Sequence, residues 1–231
     1  MKTLAVIQHT SSEYLGLIED HLEGRRIRFQ YHRPFTEKGK PPAPEAVQEG
    51  LCLLGGGPWG SAGGRDVPTL SEEIALARYC LEAETPIIAV GLGAQILALA
   101  AGGSSTAAPL SFTVGEACRV DADGLNGFLP ERYPLITYMR DRPEPPADAR
   151  ILAVDDRDRP ALFQIGANAL GFTGHPGVKV AMMEDLIMEF EEGPDDPGAP
   201  LAAVRELKTT IEDALVQIMT GVVQITGLMR S

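Results

Sequence analysis

Two glycine-punctuated segments hold the residue types that could do chemistry. The first, Gly50-Leu-Cys-Leu-Leu-Gly55-Gly56-Gly57-Pro58, is an apolar strand running into consecutive glycines. Glycines at the carboxyl end of a strand let backbone N–H groups approach an anion or a developing oxyanion. Gly56 and Gly57 are therefore candidate ligand-binding positions. The second, Pro86-Ile-Ile-Ala-Val-Gly91-Leu-Gly93-Ala-Gln95, has the layout of a nucleophile elbow. In such an elbow a tight turn lifts a side chain above the sheet, facing the N-terminus of the next helix. Here the apex is Gly91, which has no side chain to lift. Gln95, one turn further on, either hydrogen-bonds the elbow or contacts a ligand.

Other residues that could replace a nucleophile are few. Cys52 lies inside the strand before Gly55, and Cys80 sits late in a helix beneath apolar neighbours. Buried thiols of this kind are usually inert. Cys118 falls on a middle strand outside both segments, and Ser61 and Ser104 lie near the expected cleft without an evident base. Three widely spaced cysteines with no C-x-x-C pair indicate neither a disulfide framework nor a zinc site, and no cofactor motif is present.

The elements that must position these segments follow from the apolar pattern. Leu4–Ile7, 27–31, 51–54 and 87–90 read as strands. Between them come a helix capped by Ser11 and Ser12 (apolar face Leu15, Ile18, Leu22; end at Gly24), one opened by Ser71, and one over 95–101. Strands alternating with helices predict a mostly parallel sheet covered on both faces. Short strands at 112–120, 135–138, 151–154, 161–165 and 169–173 extend that sheet or form a small antiparallel ribbon. Residues 184–196 hold seven acids and no base, read as a solvated helix end running into a breaker-rich linker, 193–200. Beyond Pro200, apolar residues from Leu201 to Leu228 recur every three or four positions, predicting one long amphipathic helix over 201–231. It packs on the domain of residues 1–192 or on a partner, and its length favours a homodimer or other partner protein.

Composition narrows the function classes. With 20 Lys+Arg against 32 Asp+Glu the formal charge is −12, which argues against nucleic-acid binding. The 44% hydrophobic and 23% charged residues are ordinary for a globular chain. The opening residues read as a strand rather than a signal peptide. Residues 86–103 are nearly continuous in small and apolar types, but Gly91, Gly93 and Gln95 break them into a buried strand and a buried helix, so no membrane span is predicted. The expectation is a cytoplasmic protein.

In this order the motifs resemble the class I (triad) glutamine amidotransferases, in particular free-standing members similar to the amidotransferase part of GMP synthase. The resemblance runs from Met1 to about Phe190. Gly56-Gly57-Pro58 matches the oxyanion segment, and Pro86, Gly93 and Gln95 match the elbow. Ala100 to Gly103 matches the end of the following helix, and Gly171, His175 and Pro176 match the last motif. It implies an α/β, three-layer flavodoxin-like fold with a C-terminal helix added. It also implies a triad in which a Cys thiolate attacks the glutamine amide, His shuttles protons and Glu holds the imidazole. The departures decide the expected function. Gly91 stands at the nucleophile position, Gly177 at the acid position, and Thr173 where a Gln precedes the histidine. His175 is what remains of the triad, and it reads more readily as a satisfied turn histidine than as a base. Losing the nucleophile costs on the order of 10⁶ in rate in a well-studied protease triad. The resulting expectation is a catalytically inactive scaffold that serves as a binding, regulatory or assembly subunit, with a vestigial cleft able to take a small molecule. The alternative is a working amidotransferase or small-amide hydrolase with a non-standard nucleophile or a His175-activated water.

Overall fold

A computed structural model describes residues 2–36 and 39–229. In chain order the elements are β1 (Thr3–Ile7), α1 (Ile18–Gly24), β2 (Arg28–His32), β3 (Leu51–Leu53), α2 (Leu70–Glu82), β4 (Ile87–Val90), α3 (Leu92–Ala100), β5 (Ser104–Thr106), β6 (Ser111–Arg119), β7 (Arg132–Met139), β8 (Arg142–Glu144), β9 (Arg150–Val154), β10 (Pro160–Ile165), β11 (Ala169–Phe172), α4 (Val180–Glu189), α5 (Gly198–Glu206) and α6 (Lys208–Ile225). The main sheet has the order β2-β1-β3-β4-β11-β10-β9-β6-β7. The first five strands in that order run parallel, and the rest continue antiparallel.

The parallel strands β1, β3, β4 and β11 are buried on both faces, which is why they read as continuous apolar runs, whereas β2 lies at the sheet edge and is partly exposed. Period two then sorts their side chains. Leu4, Val6, Cys52, Ile88 and Val90 join Ile18 and Leu22 of α1 and Leu215, Ile218 and Val222 of α6. Ala5, Ile7, Leu51, Leu53, Ile87 and Ala89 join Leu76 of α2 and Ile96 and Leu97 of α3 on the other face. The three-layer architecture expected from the alternation is thus present, with a C-terminal helix. A third cluster covers the antiparallel end, where Phe112, Ile136 and Tyr138 meet Met182, Met183 and Leu186 of α4.

Three local expectations need correction. First, α1 begins at Ile18, and no serine side chain caps it. The Ser11 and Ser12 N–H groups instead donate to the Glu189 carboxylate at 2.8 and 2.9 Å. Second, the single helix expected over 201–231 is two helices, Gly198–Glu206 and Lys208–Ile225, and residues 230 and 231 lie outside the described residues. The first starts at Gly198 inside the expected linker, and the two meet at Leu207, whose backbone (φ −85°, ψ 2°) departs from helical geometry. Pro200 is accommodated because a proline in the first helical turn gives up an N–H that has no intrahelical acceptor there. Third, residues 104–106 and 142–144, for which no strand is expected, pair as a separate antiparallel ribbon, while the five expected middle strands all extend the main sheet. The apolar stripe of α6 is used within the domain, since Leu215, Ile218, Met219 and Val222 are all buried. Among the described residues no helix is long and apolar enough to cross a membrane.

Candidate functional site

Strand order reverses direction between β1 and β3, and in open parallel sheets ligands bind at the carboxyl ends of strands at such a point. Both glycine segments reach this edge. Val90 ends β4, Gly91 takes φ 56° and ψ −115°, and α3 starts at Leu92. A non-glycine residue there would be strained, as functional elbow residues commonly are. Gly93 serves a different need, because a Cβ there would lie 2.2 Å from the Leu53 carbonyl oxygen. Close approach of α3 to β3 therefore requires glycine. The elbow is formed, and its apex carries no reactive atom.

His175 and Gly177 come together, but not as a triad. The Nε2 of His175 lies 2.8 Å from the Tyr14 carbonyl oxygen, and the Gly177 N–H donates to Nδ1 at 3.2 Å. A carbonyl only accepts and an N–H only donates, so the imidazole is neutral with its proton on Nε2. In a Ser-His-Asp triad the carboxylate holds Nδ1–H and leaves Nε2 free as base. Here both nitrogens are committed to backbone. Burial also pulls the His175 pKa down from 6.5 to about 4.

Gln95 is fully engaged too. Its Oε1 accepts from the Ser61 hydroxyl at 2.6 Å, and its Nε2 donates to the Arg140 carbonyl at 2.7 Å. The Ser61 hydroxyl also lies 2.8 Å from Ser105 Oγ. Cys52 and Cys80 are buried in the core and Cys118 is half-buried on β6. Burial raises both core thiols, Cys80 to about 11. None of these groups is an activated nucleophile.

Two acids and a histidine that sequence reasoning passed over occupy the edge instead. His9, just past β1, contacts the Gly55 carbonyl through Nδ1 at 3.0 Å and Glu73 of α2 through Nε2 at 2.7 Å. Thr69 donates its hydroxyl to the other Glu73 oxygen at 2.5 Å. Burial works against a charge on His9, but the Glu73 carboxylate, the Gly55 carbonyl and Glu13 together outweigh it and the His9 pKa is raised. Glu13 is 3% exposed and accepts the Gly57 N–H on Oε2 at 2.9 Å. Gly56 meets a different neighbour: a Cβ there would lie 2.4 Å from a methyl of Leu92. A sequence signal existed for both His9 and Glu13, since they closely follow the first buried strand. Among the described residues no group of three or more His, Cys, Asp or Glu is placed to hold a metal ion.

These protonation states make the pH dependence of stability testable. Burial pushes the Glu13 carboxyl from 4.5 to about 7; the Gly57 N–H and His9 oppose the rise and Glu189 adds to it. Between those values the folded protein holds a proton that the unfolded chain has lost, so Glu13 lowers stability as pH rises. His175 does the reverse, because from pH 6.5 down to about 4 the unfolded chain takes up a proton that the folded state refuses. Over pH 4.5–6.5 the two slopes oppose each other. Glu13→Gln should remove one and expose the other, giving unfolding free energies that climb by ~1.4 kcal/mol per pH unit relative to wild type. Urea titrations at pH 4.5, 5.5 and 6.5 measure this, and parallel curves for the two proteins would contradict it.

A doubly covered parallel sheet with a glycine segment beside a strand–elbow–helix defines an elbow-type α/β domain. Within that class, the sequence profile described as glutamine amidotransferase class-I matches residues 12–184, and the chain belongs to that family. Its fold is similar to a glutamine amidotransferase from Thermotoga maritima (22% identity, TM-score 0.79, covering 97% of this chain and 98% of that one). It is also similar to a glutamine amidotransferase from Methylobacillus flagellatus (23%, 0.79, 98% and 94%). A more distant likeness is to a putative GMP synthase component from Thermoplasma acidophilum (17%, 0.55, 90% and 98%). At these identities the likenesses establish the fold. No curated protein sequence matches the chain.

Proposed function

We propose that this chain is a class I amidotransferase-fold protein that does not hydrolyse glutamine and acts as a binding, regulatory or assembly subunit. The observation that carries this reading is the elbow apex. Gly91 holds the backbone conformation of a nucleophile elbow with only a hydrogen atom to present. Thioester formation needs a thiolate there, and the cysteines lie in the core or on the antiparallel end of the sheet. A hydrolase using a His175-activated water is disfavoured by the two backbone hydrogen bonds that occupy the ring. A serine nucleophile at Ser61 is disfavoured because its hydroxyl donates to an amide oxygen rather than to a base.

The test is incubation of the purified chain with millimolar glutamine, with glutamate followed by a coupled assay. Release should equal that of buffer alone. Turnover that rises in proportion to protein concentration and persists through repeated purification would overturn the reading.

A further inference from the structure

Away from the glycine segment, a cavity of about 430 Å³ opens among α1, the start of α4 and the junction of α5 with α6. That volume falls in the lower part of the ~300–1,000 Å³ range of small-molecule sites. Its floor is apolar. Leu17, Val178, Val204 and Ile211 line it, and the last three are buried members of the third core cluster. Leu207 interrupts the helical backbone between Val204 and Lys208, so two helices rather than one contribute Val204 and Ile211. The floor is also tied to the turn that carries His175. The Leu17 N–H donates to the Gly177 carbonyl at 2.8 Å, and Val178 follows directly.

The rim carries both signs of charge, with Lys179 and Lys208 supplying the positive groups and Asp20 and Glu212 the negative. Among the described residues none of the four forms an ion pair, and Lys179 Nζ lies 6.0 Å from the centre of the Tyr14 ring. Opposite charges that share one cavity without closing on each other leave both available to a ligand. An anion alone would meet the two carboxylates, and a cation alone the two ammonium groups. A neutral apolar molecule would use neither. A ligand with both charges beside an apolar tail fits every part of the lining. We infer that this cavity binds a free α-amino acid with an aliphatic side chain. Its carboxylate lies toward Lys179 and Lys208, its ammonium toward Asp20 and Glu212, and its tail on the floor of valine and isoleucine. Carboxylate and ammonium on one carbon put both charges at the same end, as a charged rim over an apolar floor requires. The site stands apart from the elbow and does not depend on whether the chain hydrolyses glutamine.

The experiment follows the methyl resonances of the labelled chain by NMR during titration with L-leucine. Parallel titrations use isocaproate and isoamylamine, which keep the tail and lose the ammonium or the carboxylate respectively. Leucine should shift the methyls of Val178, Val204 and Ile211 with saturation on the order of 1 mM, a value suited to so small a ligand. The amides of Gly57 and Gly91 should stay in place, and both analogues should bind more weakly. Lys208→Ala and Glu212→Ala should each weaken leucine roughly two- to fivefold, the reach of one solvent-exposed ion pair. No saturable methyl shift, equal affinity for either analogue, or shifts centred on Gly57 and Gly91 would overturn the proposal. So would folded variants that bind leucine as tightly as wild type. Should a variant not fold, the three ligands compared on wild type still decide the matter.

Discussion

Gly91→Cys, alone or combined with Gly177→Glu, is expected to leave glutamine turnover within about tenfold of background, against the ~10⁶ that an intact nucleophile and base can supply. The backbone can receive the thiol, since φ 56° and ψ −115° form the strained elbow and the new Cβ meets only the Gly55 Cα, at 3.3 Å. What it lacks is a base. The Nε2 proton of His175 is committed to the Tyr14 carbonyl and Nδ1 to the Gly177 amide, so neither nitrogen can take a proton from sulfur. The second substitution does not repair this. A Cβ at residue 177 would lie 2.8 Å from Ile18 Cγ1 and 3.0 Å from the Ile18 backbone nitrogen, while the Gly177 carbonyl already accepts the Leu17 N–H at 2.8 Å. Overpacking of this kind costs ~1–3 kcal/mol and moves backbone rather than placing a carboxylate. The glutamate-release assay on both variants, with thiol alkylation to show that the new cysteine is exposed at the elbow, checks the result. A gain of a thousandfold or more would mean that the ring reorients readily and that the cleft is still preorganised.

The reasons this restoration fails were only partly legible in the sequence. Gly91 and Gly177 stood out because the motif spacing places them, and the residues of the central strands stood out because burial on both faces leaves runs such as Ile87–Val90 almost wholly apolar. Glu13 did not, because Ser11-Ser12-Glu13 has the local chemistry of a helix cap and its partners are distant in the chain. Gly57 lies 44 residues on, and Glu189, which holds the serine amides, lies 177 and 178 residues on. Long-range hydrogen bonds of this sort leave no periodic trace. The C-terminal stripe shows the same limit from the apolar side. Its spacing marked a buried face, but not what buries it. That is the chain's own core, where Leu215, Ile218 and Val222 join Leu4, Val6, Ile18 and Leu125, and a Cβ on Gly221 would lie 2.5 Å from Leu125. The β5–β8 ribbon escaped because its strands are three residues each and partly exposed, too short for alternation to register.

The largest loss of stability should come from the His9–Glu73 pair. Both ring nitrogens of His9 face acceptors, the Gly55 carbonyl and the Glu73 carboxylate, so the geometry calls for an imidazolium paired with a carboxylate. The two side chains are 1% and 0% exposed. Removing either partner leaves the other buried without its counter-charge, which costs about 3–5 kcal/mol, whereas replacing both by apolar residues of similar volume is often close to neutral. His9→Leu and Glu73→Leu should each therefore lower the unfolding free energy by that amount in urea at pH 7, and the two substitutions together should lose less than either. The asymmetry is the diagnostic, because packing misfit alone would add up and make the double variant the worst of the three. Gly55 supplies a local reading of the same pair. Its carbonyl is held by His9, so loss of His9 should also shift the amide resonances of residues 55–57, whereas loss of the exposed Glu72 beside Glu73 should not. Single variants that lose less than about 1 kcal/mol would be typical of an exposed salt bridge and would contradict a charged, buried pair.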